Sequence, residues 1–274
     1  MLRILVDSGC SIKQDEAANY GVEIIPLIVS FDGVEYYDGI NLSREEFYNK
    51  LINEKKFPKT SLPNLYELQE KVNGYTKNGD DVLILPISSG ISGTFNAIRN
   101  LFIDNSKVKV VDTKLAVGGI RLIVHAVNQN KDKSLDELEI MINKLIPRIR
   151  ILAIPETLTY LMRGGRLSKK DWILGSMLNI KPIITFKDGS VAVQSKKMGL
   201  NSAMKAINSE LERLDVDENF PIVASYTYND SNLKKLINGV KEKFKKLITV
   251  FDDLASVIAC HWGPNAFGFV FVQK

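Results

Sequence analysis

A turn of serine, glycine and threonine, Ser88-Ser89-Gly90-Ile91-Ser92-Gly93-Thr94, stands between an apolar run and a helical one. Upstream, Val82-Leu83-Ile84-Leu85-Pro86-Ile87 reads as a buried strand, and downstream Phe95 to Phe102 repeats apolar residues at helical spacing. Such a turn gathers hydroxyls and unpaired backbone N–H groups at the positive end of a helix dipole. That combination holds an anion, either a phosphate or a carboxylate. The same residue types also cap helices, and Ser92 or Thr94 suits that role equally. Gly90-Ile91-Ser92-Gly93-Thr94 further approaches a nucleophile elbow, with Thr94 where the last glycine of G-x-S-x-G belongs. A serine hydrolase using Ser92 would need a base; His261 is the candidate, and no orienting partner lies in its sequence neighbourhood. A small phosphate-ligand binding module would use the same cradle. Neither Thr60-Ser61 nor Ser88 to Thr94 carries a lysine or arginine, however, so a monoanionic carboxylate fits better than a dianionic phosphate.

These residues need a frame that places them together. Ile4-Leu5-Val6, Val82 to Ile87 and Val108-Lys109-Val110-Val111 are β-rich, and each leads through a polar turn into a helical pattern. The alternation predicts a parallel sheet flanked by helices. Ligands of such sheets bind outside the carboxyl ends of the strands. Asp7-Ser8, Ser88-Ser89 and Asp112-Thr113 all fall on that edge. Asp7 and Asp112 suit turn formation there, with Asp7 a neighbour of any anion site. An irregular insert occupies about residues 20–63. Val22 to Phe31 and Val34 to Tyr37 form a hairpin around Asp32-Gly33, Ser43 and Glu46 form a capping box, and Lys59 to Pro63 makes an exposed loop. Ser61, Asn64 or both cap the helix that follows.

The second half mixes signals differently. Ile149 to Ile154 is a strand and Glu156 to Met162 a helix closed by Gly164-Gly165. A helix through Leu174 to Leu178 precedes a hairpin about Asp188-Gly189, with strands 181–186 and 190–194. Helix 201–213, strand 221–226, helix 231–246, strand 247–251 and strand 267–272 complete the pattern. The expected fold is thus mixed α/β: an N-terminal α/β domain over 1–152 with a parallel sheet, and a C-terminal α+β domain over 153–274 with a largely antiparallel sheet.

Composition narrows the function classes. The 274 residues carry a formal charge of +4 from scattered basic side chains, without the dense basic, aromatic-interleaved block that nucleic acid favours. No run reaches the roughly 18 apolar residues of a transmembrane segment. The N-terminal apolar run is too short for a signal peptide, and the two cysteines, Cys10 and Cys260, lack metal-ligand spacing. A cytoplasmic protein with no metal and no cofactor is the expectation. His125, in the apolar helical stretch Ile120 to Val127, suits the edge of a core.

Several separated motifs coincide: Asp7-Ser8, Tyr37-Asp38-Gly39, Thr60-Ser61-Leu62-Pro63, Ser88 to Thr94, Val111-Asp112-Thr113, Leu158-Thr159-Tyr160-Leu161 with Gly164-Gly165-Arg166-Leu167-Ser168, Asn179-Ile180-Lys181-Pro182, and His261-Trp262-Gly263-Pro264-Asn265-Ala266. Together they resemble the DegV family of bacterial fatty acid-binding proteins. The resemblance implies a long-chain fatty acid held between two domains. It also implies that the protein presents the acyl carboxylate to a separate fatty acid kinase, which makes acyl phosphate for phospholipid synthesis. The protein is then a carrier and not itself an enzyme, with no catalytic residue. Carried onto this chain, the carboxylate meets Thr60 and Ser92, with Ser61 and Gly93 of the same motifs beside them and His261 in the head-group network. Arg166 matches the position of the kinase encounter. Met198-Gly199 stands where the family commonly has Arg-Gly, and Asn265 where glycine follows Gly-Pro. Ile25, Leu27, Ile28, Val29, Phe95, Ile98, Met177, Leu178, Ile180 and Phe267 are the apolar residues open to either core or acyl-chain contact.

Overall fold

The computed structural model describes residues 1–168 and 179–274. The expected helix through Leu174 to Leu178, and with it Met177, lies outside the described residues. The chain divides into two units, Met1–Pro147 with Ala255–Val257, and Arg148–Leu254 with Ile258–Lys274. The strand Ile149–Ile154 therefore lies whole in the second unit, whereas the sequence pattern places the end of the first domain at residue 152. The return of Ala255–Val257 to the first unit is a pairing remote in sequence, which no local pattern announces.

In the first unit, β1 (Leu2–Asp7), β2 (Glu23–Ile25), β6 (Asp81–Leu85) and β7 (Val108–Val110) form a parallel sheet in the order β2-β1-β6-β7. Parallel strands covered on both faces read as continuous apolar runs, and Val82, Leu83, Ile84 and Leu85 are all fully buried. Helices α2 (Leu65–Lys77) and α3 (Thr94–Leu101) bring Leu68, Val72 and Ile98 onto Leu5, Ile25, Val82 and Ile84. Each such buried side chain contributes about 1.5–3 kcal/mol by leaving water. Helices α4 (Gly118–Asn128) and α5 (Leu135–Leu145) follow β7; His125 on α4 is half-buried beside Gln129, at a core edge.

The insert forms a separate antiparallel sheet, β4 (Val34–Tyr37), β3 (Ile28–Phe31) and β5 (Lys59–Ser61), with β3 in the middle. Asp32 and Gly33, both at positive φ (51° and 86°), close the β3–β4 hairpin. Helix α1 (Arg44–Tyr48) begins with the expected capping box of Ser43 and Glu46. The segment expected as a loop at Lys59 to Pro63 instead pairs along β3 through Lys59, Thr60 and Ser61. Its three residues alternate exposed and half-buried, too short a run for periodicity to separate from a loop.

Among the described residues, the second unit holds a mixed, largely antiparallel sheet of six strands. They are β8 (Ile149–Ile154), β9 (Ile180–Lys187), β10 (Ser190–Met198), β11 (Ile222–Tyr226), β12 (Ile248–Asp253) and β13 (Phe267–Val272), in the order β10-β9-β8-β13-β11-β12. Among the described residues, only the β11–β12 pair of this sheet is parallel. Helix α6 (Thr159–Arg163) starts later than expected because Thr157 Oγ1 takes the Thr159 N–H at 3.2 Å, a local turn that competes with the helix. Helix α7 (Leu200–Arg213) packs Ala203, Met204, Ile207 and Leu211 on the sheet. The single helix expected over 231–246 is two, α8 (Ser231–Asn238) and α9 (Glu242–Lys245). Asn208 Nδ2 donates to the Leu236 carbonyl at 3.2 Å and sits where a Cβ on Gly239 would be, so the helix stops there. A further helix, α10 (Ser256–Trp262), whose residues from Ile258 onward belong to this unit, has no counterpart in the sequence pattern. Nearly every residue from Leu254 to Trp262 is buried, and a helix buried all round shows no amphipathic period.

Candidate functional site

Strand β6 ends at Leu85, and the serine turn is tied down from three sides. Asp7, at the end of β1, accepts the Ile87 N–H at 2.7 Å and the Gly9 N–H at 2.9 Å. Asp112, beyond β7, accepts the Ser89 N–H at 3.0 Å and the Ser89 hydroxyl. Ser88 N–H bonds to the Leu115 carbonyl at 2.9 Å, while the Ser88 carbonyl accepts from Ile91 and Ser92. The three polar strand ends thus meet at the carboxyl edge of the sheet, as the alternation predicts. Burial pushes the Asp7 carboxyl up to about 7, and nearby Asp38 adds to that, despite the two N–H groups it accepts. Asp112 is held below the usual range: desolvation is outweighed by the Ser89 hydroxyl and amide, the Lys114 amide and the Lys114 charge.

Ser92 and Gly93 stand at the start of α3. Ser92 Oγ accepts the Thr94 N–H at 3.2 Å and lies 2.8 Å from Thr94 Oγ1, and Thr94 is fully buried. Ser92 therefore supports the first turn of the helix, and its half-buried hydroxyl keeps a second lone pair. Gly93 is exposed at the N-cap, where Leu62 Cδ2 lies 3.7 Å from the position of an added Cβ. The Thr60-Ser61-Leu62-Pro63 motif and the serine turn are accordingly neighbours in the first unit. In β5, Thr60 pairs with Val29 and is half-buried, whereas Lys59 and Ser61 are exposed. Adjacent residues of a strand face opposite ways, so the Thr60 and Ser61 side chains leave opposite faces. Asn64, rather than Ser61, caps α2, accepting the N–H groups of Tyr66 and Glu67. The nucleophile reading of Ser92 is poorly served: its backbone is not at positive φ, and its hydroxyl is engaged by Thr94.

His261 and Arg166 belong to the second unit. His261 lies in the last turn of α10, with its ring against Gly164, where a Cβ would sit 2.2 Å from Nδ1. Only glycine leaves room for the imidazole. Burial pushes the His261 pKa down to about 4, and the Arg166 charge adds to the effect, so the ring is neutral at pH 7. A neutral imidazole offers one N–H donor, which suits a carboxylate oxygen. Arg166 does not stand free at the surface as its position after a helix end suggests. It is half-buried and donates Nη1 to the Gly164 carbonyl, and burial lowers its pKa.

The apolar candidates divide. Ile25 and Ile98 belong to the core of the first unit and Phe267 to that of the second, while Ile28, Phe95 and Ile180 are only half-buried. Leu27 and Val29 are buried; Met177 and Leu178 lie outside the described residues. A cavity of about 360 Å³ opens in the first unit between Ser8, Ile12, Ile24, Asp38, Arg44 and Ser256, and none of the expected carboxylate-binding residues lines it. Among the described residues, no cluster of His, Cys, Asp and Glu could hold a metal ion, and no helix is long and apolar enough to cross a membrane.

Fold and turn together define a two-unit mixed α/β protein whose parallel strands end in a serine-rich turn at a helix start. The chain belongs to the DegV family: the family profile described as "Uncharacterised protein, DegV family" matches residues 1–274. A DegV domain-containing protein of Caldanaerobacter subterraneus subsp. tengcongensis is 30% identical, covering 100% of this chain and 99% of that protein. Among solved structures, the fatty acid binding DegV family protein of Streptococcus agalactiae is 26% identical with a TM-score of 0.87, covering 100% of this chain and 99% of that one. The fatty acid (stearic acid)-binding protein of Eubacterium ventriosum is likewise 26% identical, with a TM-score of 0.85 and the same coverage.

Proposed function

We propose that this protein binds one long-chain fatty acid and serves as its carrier, presenting the carboxylate to a separate fatty acid kinase. The observation that carries the reading is the cradle itself. The Thr60-Ser61-Leu62-Pro63 motif reaches the Ser92–Gly93 start of α3 through Leu62, without a lysine or arginine in either motif, in a chain whose fold matches that of fatty acid-binding relatives. Hydroxyls and helix-start N–H groups hold a carboxylate by charge-assisted bonds. The family resemblance also names His261, a neutral donor in the second unit, as a head-group residue. The acyl tail supplies most of the affinity: about 15 methylenes at about 0.8 kcal/mol each give on the order of 12 kcal/mol before association costs. The protein works in the cytoplasm and takes the acid as ligand, with no cofactor.

Extraction of the purified protein under denaturing conditions, followed by mass spectrometry, is expected to release close to one long acyl chain per protein. Absence of acyl chains, together with no rise in melting temperature on adding octadecanoic acid, would refute the binding role. The carrier role is tested separately with Arg166→Ala. That variant is expected to keep its bound fatty acid yet slow acyl phosphate formation by the kinase. Wild-type turnover would move the docking surface elsewhere, and loss of bound lipid would put Arg166 in the binding site. The half-buried guanidinium beside His261 makes the second outcome a sharp alternative.

A further inference from the structure

His261 sits in a short helix followed at once by the turn Gly263-Pro264-Asn265-Ala266, and that turn is stapled to one residue. Thr227, directly after β11 and fully buried, donates its hydroxyl to the Gly263 carbonyl at 2.7 Å and accepts the Ala266 N–H on the same oxygen at 2.8 Å. Its backbone adds two more bonds, Thr227 N–H to the Ala266 carbonyl and Asn265 N–H to the Thr227 carbonyl, each 2.9 Å. Asn265 is held at φ 60°, and its side chain donates to Glu156 at 2.7 Å.

The packing around this staple leaves little slack. Gly263, at φ 70°, faces the Tyr160 ring so closely that an added Cβ would lie 2.3 Å from Cδ2. Tyr160 belongs to α6, whose Tyr160 carbonyl accepts the Gly164 N–H at 2.8 Å, and Gly164 is the residue against the His261 ring. Two glycine-tight contacts therefore bracket the histidine, Gly263 on Tyr160 and Gly164 on the imidazole. Displacing Gly263 by a few tenths of an ångström would shift the end of α10 and open or close the gap over His261.

We propose that Thr227 is a positioning residue for His261: its hydroxyl locks the Gly263–Ala266 turn and so fixes the imidazole against Gly164. The proposal rests on His261 serving as a carboxylate donor only where it extends to ligand affinity. The positioning itself is a property of the second unit. A hydroxyl that both donates and accepts is required, because Gly263 offers a carbonyl and Ala266 an N–H at the same point. Valine has the shape of threonine and neither function; serine has both.

The experiment compares Thr227→Val and Thr227→Ser by the NMR titration of the His261 imidazole and by calorimetric binding of octadecanoic acid to delipidated protein. In Thr227→Val the His261 midpoint should rise from about 4 toward 6.5, as the loosened ring gains water. Affinity should fall by about tenfold, the loss expected when one hydrogen bond to a charged group is weakened. Thr227→Ser should restore both. In a His261→Gln background, Thr227→Val should cost no further affinity. A Thr227→Val protein that melts earlier, yet keeps the wild-type titration and affinity, overturns the proposal. If His261→Gln alone binds as tightly as wild type, the head-group role of His261 falls, and the titration still decides the positioning. Should Thr227→Val not fold, amide exchange in the wild-type protein decides it. Slow exchange at Asn265 and Ala266 supports the staple, and exchange at the rate of exposed amides overturns it.

Discussion

Ser92 accepts the amide of Thr94 while facing Gly93 at an exposed helix start, so one hydroxyl both caps α3 and remains available to a ligand. The two roles separate by measurement. Ser92→Ala and Thr60→Ala each remove a hydrogen bond to a charged carboxylate, worth about 1.5–3 kcal/mol, so fatty acid affinity should drop at least tenfold in each. Ser92→Ala should in addition lose about 1 kcal/mol of folding stability in urea, as a helix start does without its cap. Unchanged affinity in both variants would leave Ser92 a cap and Thr60 an edge-strand residue. Ser61 offers an internal contrast, since its side chain leaves the other face of β5, and Ser61→Ala should bind normally. At this scale the sequence exposed Ser92, Thr60 and His261 as polar residues at motif positions. It did not reveal Thr227 or Gly164, whose importance lies in what they touch. The one local signal was a threonine following the buried run Ile222 to Tyr226, at the end of a strand.

Elements were legible where local chemistry governs them. The Ser43–Glu46 capping box, the Asp32-Gly33 and Asp188-Gly189 hairpins and the alternating parallel strands each follow from residues within a few positions. They failed where a remote partner decides. Helix 231–246 breaks because Asn208, from α7, occupies the carbonyl of Leu236, and β5 exists because β3 lies beside it. Strand β13 shows the same dependence and can be tested. It lies between β8 and β11, and an added Cβ on Gly268 would meet the Leu152 backbone oxygen at 2.1 Å. A backbone atom in a central strand cannot step aside. Gly268→Ala should therefore cost about 1–3 kcal/mol, the usual penalty of overpacking, and lower the melting temperature. A melting temperature equal to wild type would mean that the sheet is looser there than its register requires.

Across the whole molecule, Asp7 and His261 are buried groups whose shifts bear on the pH response in opposite directions, alongside Asp38, which burial also pushes up. Asp7 is pushed up from 3.8 to about 7 chiefly by burial, so the folded state holds its proton where the unfolded chain has lost it. Its contribution is present below about 3.8 and is lost as pH rises through about 7. His261 is pushed down from 6.5 to about 4, again chiefly by burial, so its contribution is present above 6.5 and is lost as pH falls through about 4. Between about 4 and 6.5 the two slopes oppose each other, and above 6.5 only that of Asp7 remains. Urea unfolding across this range should show His261→Gln losing stability more steeply with rising pH than wild type. Asp7→Asn should be less stable overall, since an amide keeps one acceptor for two N–H groups, and its stability should rise with pH between about 4 and 6.5, where the His261 slope is left unopposed. Parallel curves for all three proteins would assign the pH response to other groups.

What the sequence determined by itself was the alternation of parallel strands and helices, the hairpins, the capped helix starts, and an ordered set of motifs that matches one family from end to end. All of these depend on residues near one another in the chain, where periodicity, turn chemistry and residue type act directly. Tertiary structure decided the rest. It chose which strand ends meet, with Asp7 reaching Ile87 and Asp112 reaching Ser89. It returned Ala255–Val257 to the first unit, where Ser11 Oγ takes the Ala255 N–H and Asp38 takes that of Ser256. It also made His261 a neutral ring by burying it against a glycine and beside an arginine. A pKa, a staple and a close glycine contact depend on solvent exclusion and on atoms brought together from distant parts of the chain, and no local pattern of residues carries that information.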